Sequence, residues 1–268
     1  MKNVAWHLIF FVSLSLFGCH ATRSVRDIVP IPFAHSHNDY EQLHPLSDAM
    51  GLGFTSVEAD VFLQDGELLV GHELLELRAE NTLERLYLKP LSKWIERHNG
   101  HVYATRGAFY LFIDVKTEAD ATYEALNRVL QKYSNILTHV KNGAVHYRPV
   151  TAVISGNRAW NLVATSKTTY LGLDGRLKDL DSDLPSHRLP IISDNWREHF
   201  AWTGSGEFPR DQQMKLRSIV QKAHQKDRKV RFWATPNSPI FWRTLHREGV
   251  DLINADALGK LKKFAMSL

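Results

Sequence analysis

The 268-residue chain holds a single cysteine, Cys19, so no disulfide within the chain is available to it. Beyond the extreme N-terminus no run of eighteen apolar residues occurs, which argues against an internal membrane-spanning helix. Charge of one sign is also scarce. The net value is +4 and the 33 basic residues are scattered, a weak field that attracts anionic phosphates without the dense basic stripe of a nucleic-acid binder. Internal repeats, low-complexity tracts and a second domain boundary are lacking, and the length suits one large α/β core.

What is present begins with an export pattern. Lys2 supplies the charge, Leu8 to Phe17 a short apolar stretch, and Leu16-Phe17-Gly18-Cys19 a processing site. A lone thiol directly after such a site resembles the bacterial lipoprotein signal, in which the cysteine carries the lipid. The expectation is a signal over residues 1–18, a tether over 19–28 and one domain over 29–268, exported and membrane-anchored on the periplasmic or cell-surface side. The alternative is a secreted protein cleaved nearby.

Eight β-rich runs alternate with helical patterns: Ile31 to Ala34, Thr55 to Val61, Phe109 to Val115, Val150 to Ile154, Thr169 to Leu173, Leu189 to Ile192, Lys229 to Ala234 and Asp251 to Asn254. Between them, apolar residues fall at helical spacing, as in Tyr123, Leu126, Leu130 and in Leu216, Ile219, Val220, Ala223. This order predicts a single closed (β/α)8 barrel. A doubly wound open sheet is the second choice, disfavoured because the first strand is not followed by a Gly-rich phosphate turn. Two long connections, His72 to Leu88 and Asp194 to Phe208, are expected to cover the open face, and the aromatic stretch Trp196 to Trp202 within the second to shield the site or meet an acyl chain.

Reactive side chains gather where the strands end. Ala34-His35-Ser36-His37-Asn38-Asp39-Tyr40 follows the first. In the second, Glu58 and Asp60 share a face because side chains two apart in a strand point alike, and Glu67 to His72 reads as a returning segment. In the third, Asp114 and Lys116 share a face. Three carboxylates so grouped suit Mg²⁺ or Ca²⁺, and a cation relieves the repulsion that would otherwise raise their pKa values. Lys116 adds a positive contact for a phosphate, and two histidines flanking it would remove and return a proton. His37, Asn38 and Asp39 either touch substrate or orient the first loop, and Asp256 either binds substrate or caps the last helix. His139, His146 and His187 read as surface residues, whereas Trp94, Trp160 and Trp242 read as core.

The Glu58-Ala59-Asp60 strand with His72 and His35 resembles the superfamily of phosphatidylinositol-specific phospholipase C, glycerophosphodiester phosphodiesterase and spider-type sphingomyelinase D, over about residues 30 to 265. The likeness implies Glu58, Asp60 and Asp114 as metal ligands and His35 and His72 as acid and base. Asp114-Val115-Lys116 is similar to the sphingomyelinase D version of this strand. Trp233 and Asn254-Ala255-Asp256 also match, so Lys116, His37, Asn38, Trp233 and Asn254 are expected at the substrate. His35-Ser36-His37-Asn38-Asp39-Tyr40 departs from the His-Arg-Gly opening of standard glycerophosphodiesterases and looks like a subgroup that includes fungal mitochondrial-inheritance proteins.

The resemblance implies a metal-dependent enzyme cleaving a glycerophosphodiester or phospholipid headgroup, with hydrolysis or a cyclic phosphate as outcome, and the chain is expected to act as a monomer. Two rivals remain. His35-Ser36-His37 is also a two-histidine motif of amidohydrolase-type barrels, although the fifth and sixth strands supply no further histidine. A surface-anchored barrel that binds ligand without turnover is the other.

Overall fold

The computed structural model describes residues 28–105 and 107–268, so Cys19 and the export segment lie outside the described residues. In chain order the strands are β1 (Ile31–Ser36), β2 (Phe54–Gln64), β3 (Glu67–Val70), β4 (Phe109–Val115), β5 (His139–Lys141), β6 (Ala144–His146), β7 (Val150–Gly156), β8 (Gly172–Gly175), β9 (Ile191–Asn195), β10 (Lys229–Trp233) and β11 (Leu252–Ala255). The helices are α1 (Ser47–Leu52), α2 (Lys89–Arg97), α3 (Ala119–Gln131), α4 (Trp160–Thr165), α5 (Trp196–His199), α6 (Arg210–His224), α7 (Pro239–Arg247) and α8 (Leu258–Ala265).

Parallel pairing runs β1-β11-β10-β9-β8-β7-β4-β2 and returns through β1–β2, closing eight strands into a barrel. Closure leaves no barrel edge unpaired along the ring, and β3 folds back antiparallel on β2 at its far end. That return places His72 beside Asp60, because Gly71 N bonds Asp60 O.

The helices form where the spacing says they should. Tyr123, Leu126 and Leu130 of α3 are buried, and Glu118 caps its first turn by accepting from Asp120 N and Ala121 N. Ser238 caps α7 in the same way, with Pro239 in the first helical position, where no hydrogen bond is lost. Inside the barrel, Phe112, Val153, Ile191 and Leu252 form a small apolar layer of their own. It is the floor beneath the open C-terminal end, and His35 and Arg231 rest on the Phe112 ring.

Several expectations are corrected. The fifth barrel strand begins at Gly172 rather than Thr169, because Thr169 is engaged earlier by Val140 of the β5–β6 hairpin. His139 is a core residue, stacked between His146 and Tyr170 at 4.8 and 4.9 Å, while His146 and His187 are half-buried. The His72 to Leu88 connection is only partly a loop: Glu84–Leu88 is already helical, and Leu83, Tyr87 and Leu88 are buried.

The Asp194 to Phe208 segment neither covers the mouth nor offers aromatic side chains to lipid. Trp196, Phe200, Trp202 and Phe208 are all buried, with Trp196 stacked on Phe200 at 4.1 Å and Trp202 on Phe241 at 5.0 Å. Large apolar rings gain more by leaving water than by lining a wet entrance. Among the described residues no helix is long and apolar enough to cross a membrane.

Candidate active site

At the C-terminal end of the barrel a cavity of about 300 Å³ is lined by Glu58, Asp60, Asp114, Lys116, His37 and His72, with Asn38, Ser155, Arg176, Arg231 and Trp233 completing the wall. Its base is the acidic triad. Glu58, Asp60 and Asp114 place one oxygen each within 4.8 Å of one another, because residues 58 and 60 of β2 pair in register with 112 and 114 of β4. Burial and the charge of Glu58 raise the pKa of Asp114. Burial opposes ionisation of Glu58 too, but the Arg231 guanidinium and the His35 hydrogen bond overcome it and hold that carboxyl below its usual range.

The protein's own cations take one oxygen of each acid. Lys116 Nζ bridges Asp60 Oδ2 at 3.0 Å and Asp114 Oδ1 at 2.9 Å, and Arg231 bonds Glu58 Oε2. Tyr40 donates to Asp60 Oδ2 at 2.9 Å, while Asp60 Oδ1 is buried without any hydrogen-bond partner among the described residues. An orphaned buried carboxylate oxygen is costly unless something else coordinates it. That oxygen, with two neighbouring carboxylates, fits a hard divalent cation.

The histidines separate by environment. His35 is fully buried beneath the cavity, with Nε2 3.0 Å from Glu58 Oε2 and Nδ1 2.7 Å from Ser56 Oγ. An ionised carboxylate has no proton to give, so Nε2 carries the hydrogen and Nδ1 accepts from Ser56. Burial, reinforced by Arg231, pushes its pKa down to about 3. The expectation of His35 as an acid or base at the substrate is therefore corrected: both nitrogens are engaged, and the ring orients Glu58.

His37, two residues on, reaches the cavity instead. The chain turns out of β1 through Asn38, whose left-handed backbone (φ 46°) Asn tolerates well, and Asp39 pins the turn by accepting from Ser36 Oγ at 2.7 Å and Leu46 N at 2.6 Å. Burial raises the Asp39 pKa to about 6. His37 then lines the cavity with Nδ1 2.8 Å from Asp256 Oδ1, and His72 does so with Nδ1 3.1 Å from Tyr40 Oη and 3.3 Å from Asp60 Oδ2. Burial lowers the His37 pKa, but Asp256 outweighs it and the net shift is upward. Asp256 spends its second oxygen on Asn237 at 2.7 Å and does not cap α8, whose first turn begins after Ala257 without a side-chain cap.

Asn254 is likewise reassigned. It is buried behind the cavity and accepts from Arg231 Nε at 2.9 Å, so it steers the guanidinium instead of touching substrate. Lys116, Asn38 and Trp233 do reach the cavity as expected. Arg231, Arg176 and Tyr40 were not singled out from the sequence. Arg231 had a legible signal, an arginine flanked by Val230 and Phe232 in a barrel strand. Arg176 pairs with Asp174, two residues before it, at 3.1 Å and stacks over Trp233 at 4.6 Å, and nothing local in the chain announces the second contact.

Asp114 depends on Gly156 of the neighbouring strand. Gly156 has φ +64°, and a Cβ there would collide with Asp114 Oδ1 and lie 2.5 Å from Val115 O. Gly156→Ala is expected to cost about 1–3 kcal/mol in stability and to push Asp114 off Lys116. Thermal unfolding and turnover measured together check this, since an unchanged midpoint with unchanged rate would mean that the acid has room to move.

Among the described residues a second group, Asp194, Glu198 and His199, also brings three ligand atoms within 4.8 Å. Neither group includes His35 or His37, so the His-x-His motif does not build the ligand set an amidohydrolase needs.

Comparison with known proteins supplies the class first. The fold is that of glycerophosphodiester phosphodiesterase barrels: an enzyme of that name from Parabacteroides distasonis superposes with a TM-score of 0.52 at 12% identity, covering 88% of this chain and 97% of that one. A phosphodiesterase from Oleispira antarctica, solved with the product sn-glycerol-3-phosphate, gives 0.50 at 14% identity, covering 89% and 98%. At those identities the likeness concerns fold alone.

The family is narrower. A model of the AIM6-like phosphodiesterase domain matches residues 22–172. The Altered inheritance of mitochondria protein 6 homolog of Arthroderma benhamiae is 34% identical over 91% of this chain and 87% of its own length, and the Eremothecium gossypii protein 30% over 89% and 71%. This chain belongs to the AIM6-like phosphodiesterase domain family.

Proposed function

We propose that the protein is a metal-dependent phosphodiesterase acting on a glycerophosphodiester or phospholipid headgroup, with His37 and His72 as the proton-transferring pair. The observation that carries this reading is the orphaned Asp60 Oδ1 within the acidic triad, set in a cavity that two carboxylate-tied imidazoles also line.

Glu58, Asp60 and Asp114 would hold Mg²⁺ or Ca²⁺, which when bound supplies positive charge to non-bridging phosphate oxygens. Lys116, Arg176 and Arg231 add fixed positive charge around the same space. His37 and His72 each have Nδ1 tied to an acid or to Tyr40, which leaves Nε2 for the reaction: one removes a proton from the attacking hydroxyl or water, the other protonates the leaving oxygen. Burial and the neighbouring Asp60 raise the Tyr40 pKa, so the phenol stays protonated and keeps Asp60 oriented. If the substrate carries a hydroxyl beside the phosphate, the product is a cyclic phosphate; otherwise it is a monoester. Export, with a lipid on Cys19, is part of the proposal and is supported by the pattern of residues 1–19.

Incubation of the purified protein with glycerophosphodiesters, phosphatidylinositol, sphingomyelin and lysophospholipids, followed by phosphorus NMR with and without chelator, tests the reading. A cyclic phosphate or monoester resonance that chelator suppresses is expected. Saturable binding without any new phosphorus signal would favour a ligand-binding barrel.

A further inference from the structure

Beside the catalytic cavity, and sharing Lys116 with it, lies a groove of about 790 Å³ walled by Lys116 to Ala119 after β4, Gly156 to Arg158 and Trp160 at and after the end of β7, and Lys178 and Asp179 after β8. Its carboxylates are already committed. Glu118 accepts the first backbone N–H groups of α3 at 3.0 and 2.7 Å, and Asp179 accepts Arg176 N at 2.8 Å.

Of its cations, Lys116 is held by Asp60 and Asp114, but the other two are not so held. Among the described residues neither Arg158 nor Lys178 forms an ion pair, and Arg158 Nε is buried without a hydrogen-bond partner. Burial and the nearby Arg176 charge both work against the ionised form of Arg158, and together they outweigh the charges of Asp174, Asp179 and Asp114. A desolvated guanidinium donor facing another cation is a cost that an arriving anion would cancel, and a planar fork of donors matches phosphate oxygens. Two cations without an ion-pair contact among the described residues fit the charge of a phosphate monoester better than that of a single carboxylate.

We propose that this groove binds a second phosphate of the substrate, so that the natural substrate is a phosphodiester one of whose alcohols also bears a phosphomonoester. The inference rests on the phosphodiesterase reading: the scissile group sits over the triad, Lys116 lies between the two sites, and Arg158 and Lys178 grip the outer phosphate.

Calorimetry on the full chain at fixed free Mg²⁺, with alkanediol bisphosphates of two to six carbons and the monophosphate of each, tests it without turnover. For at least one length the bisphosphate is expected to bind roughly tenfold tighter than its monophosphate, the effect of one charge-assisted contact. In Arg158→Gln, and independently in Lys178→Gln, that ratio should fall toward one while monophosphate affinity holds. A ratio near one at every length in the parent protein, or a ratio unchanged in both variants, would overturn the proposal. Hydrolysis of simple glycerophosphodiesters with a ratio near one would remove the second site alone, whereas absence of any phosphodiester cleavage would remove the underlying reading.

Discussion

Asp60→Asn is expected to lower turnover by on the order of 10²–10³-fold or more while leaving the fold in place. Asn keeps the shape and can still accept from Tyr40, and Lys116 retains Asp114 as its partner. What disappears is the charge on the buried oxygen that no protein group satisfies. Because the Lys116 ammonium is partly solvated, loss of one of its two ion pairs should cost about 1 kcal/mol or less. Steady-state rates with a thermal melt separate the outcomes: loss of rate with a midpoint lowered by no more than about 2–4 °C is expected, and a variant with near-parental rate would show that Asp60 holds no essential cation.

Arg231→Met should have the opposite signature, a large stability loss. Glu58 and Arg231 are both buried and bonded to each other, and removing the guanidinium leaves a carboxylate in the barrel interior with only His35 for company. Breaking a buried pair from one side costs about 3–5 kcal/mol. For a domain of this size that lowers the melting midpoint by roughly 6–20 °C, at about 2–4 °C per kcal/mol. The double variant Glu58→Gln/Arg231→Met removes the stranded charge and should recover most of the midpoint without recovering activity. Equal losses in the single and double variants would mean that the arginine's packing on Phe112, and not its charge, accounts for the effect.

These two residues also mark what could be seen in the chain beforehand. The barrel was legible because apolar runs of strand length recur between helical stripes, and the triad because Glu58 and Asp60 lie two apart in one strand and Asp114 ends the next. Pairing of Asp60 with Asp114 across β2 and β4 bears out that placement. The histidines could not be ranked in the same way. His35 and His37 are equally reactive on paper, and only burial against Ser56 and Glu58 removes one of them from the cavity. The same holds for Trp196 and Trp202, whose position in a long connection suggested an entrance until packing against Phe200 and Phe241 placed them in the core. Arg231 and Glu58 are a long-range pair on β10 and β2, and a partner choice of that kind is set by barrel closure, not by neighbours in sequence.

Titration of Mg²⁺ and of Ca²⁺ into the protein by calorimetry addresses the acidic triad most directly. One ion per chain is predicted for at least one of the two metals, with the heat abolished in Glu58→Gln and in Asp114→Asn. Absence of binding in the parent protein, or binding undiminished in both variants, would contradict a cation held by Glu58, Asp60 and Asp114.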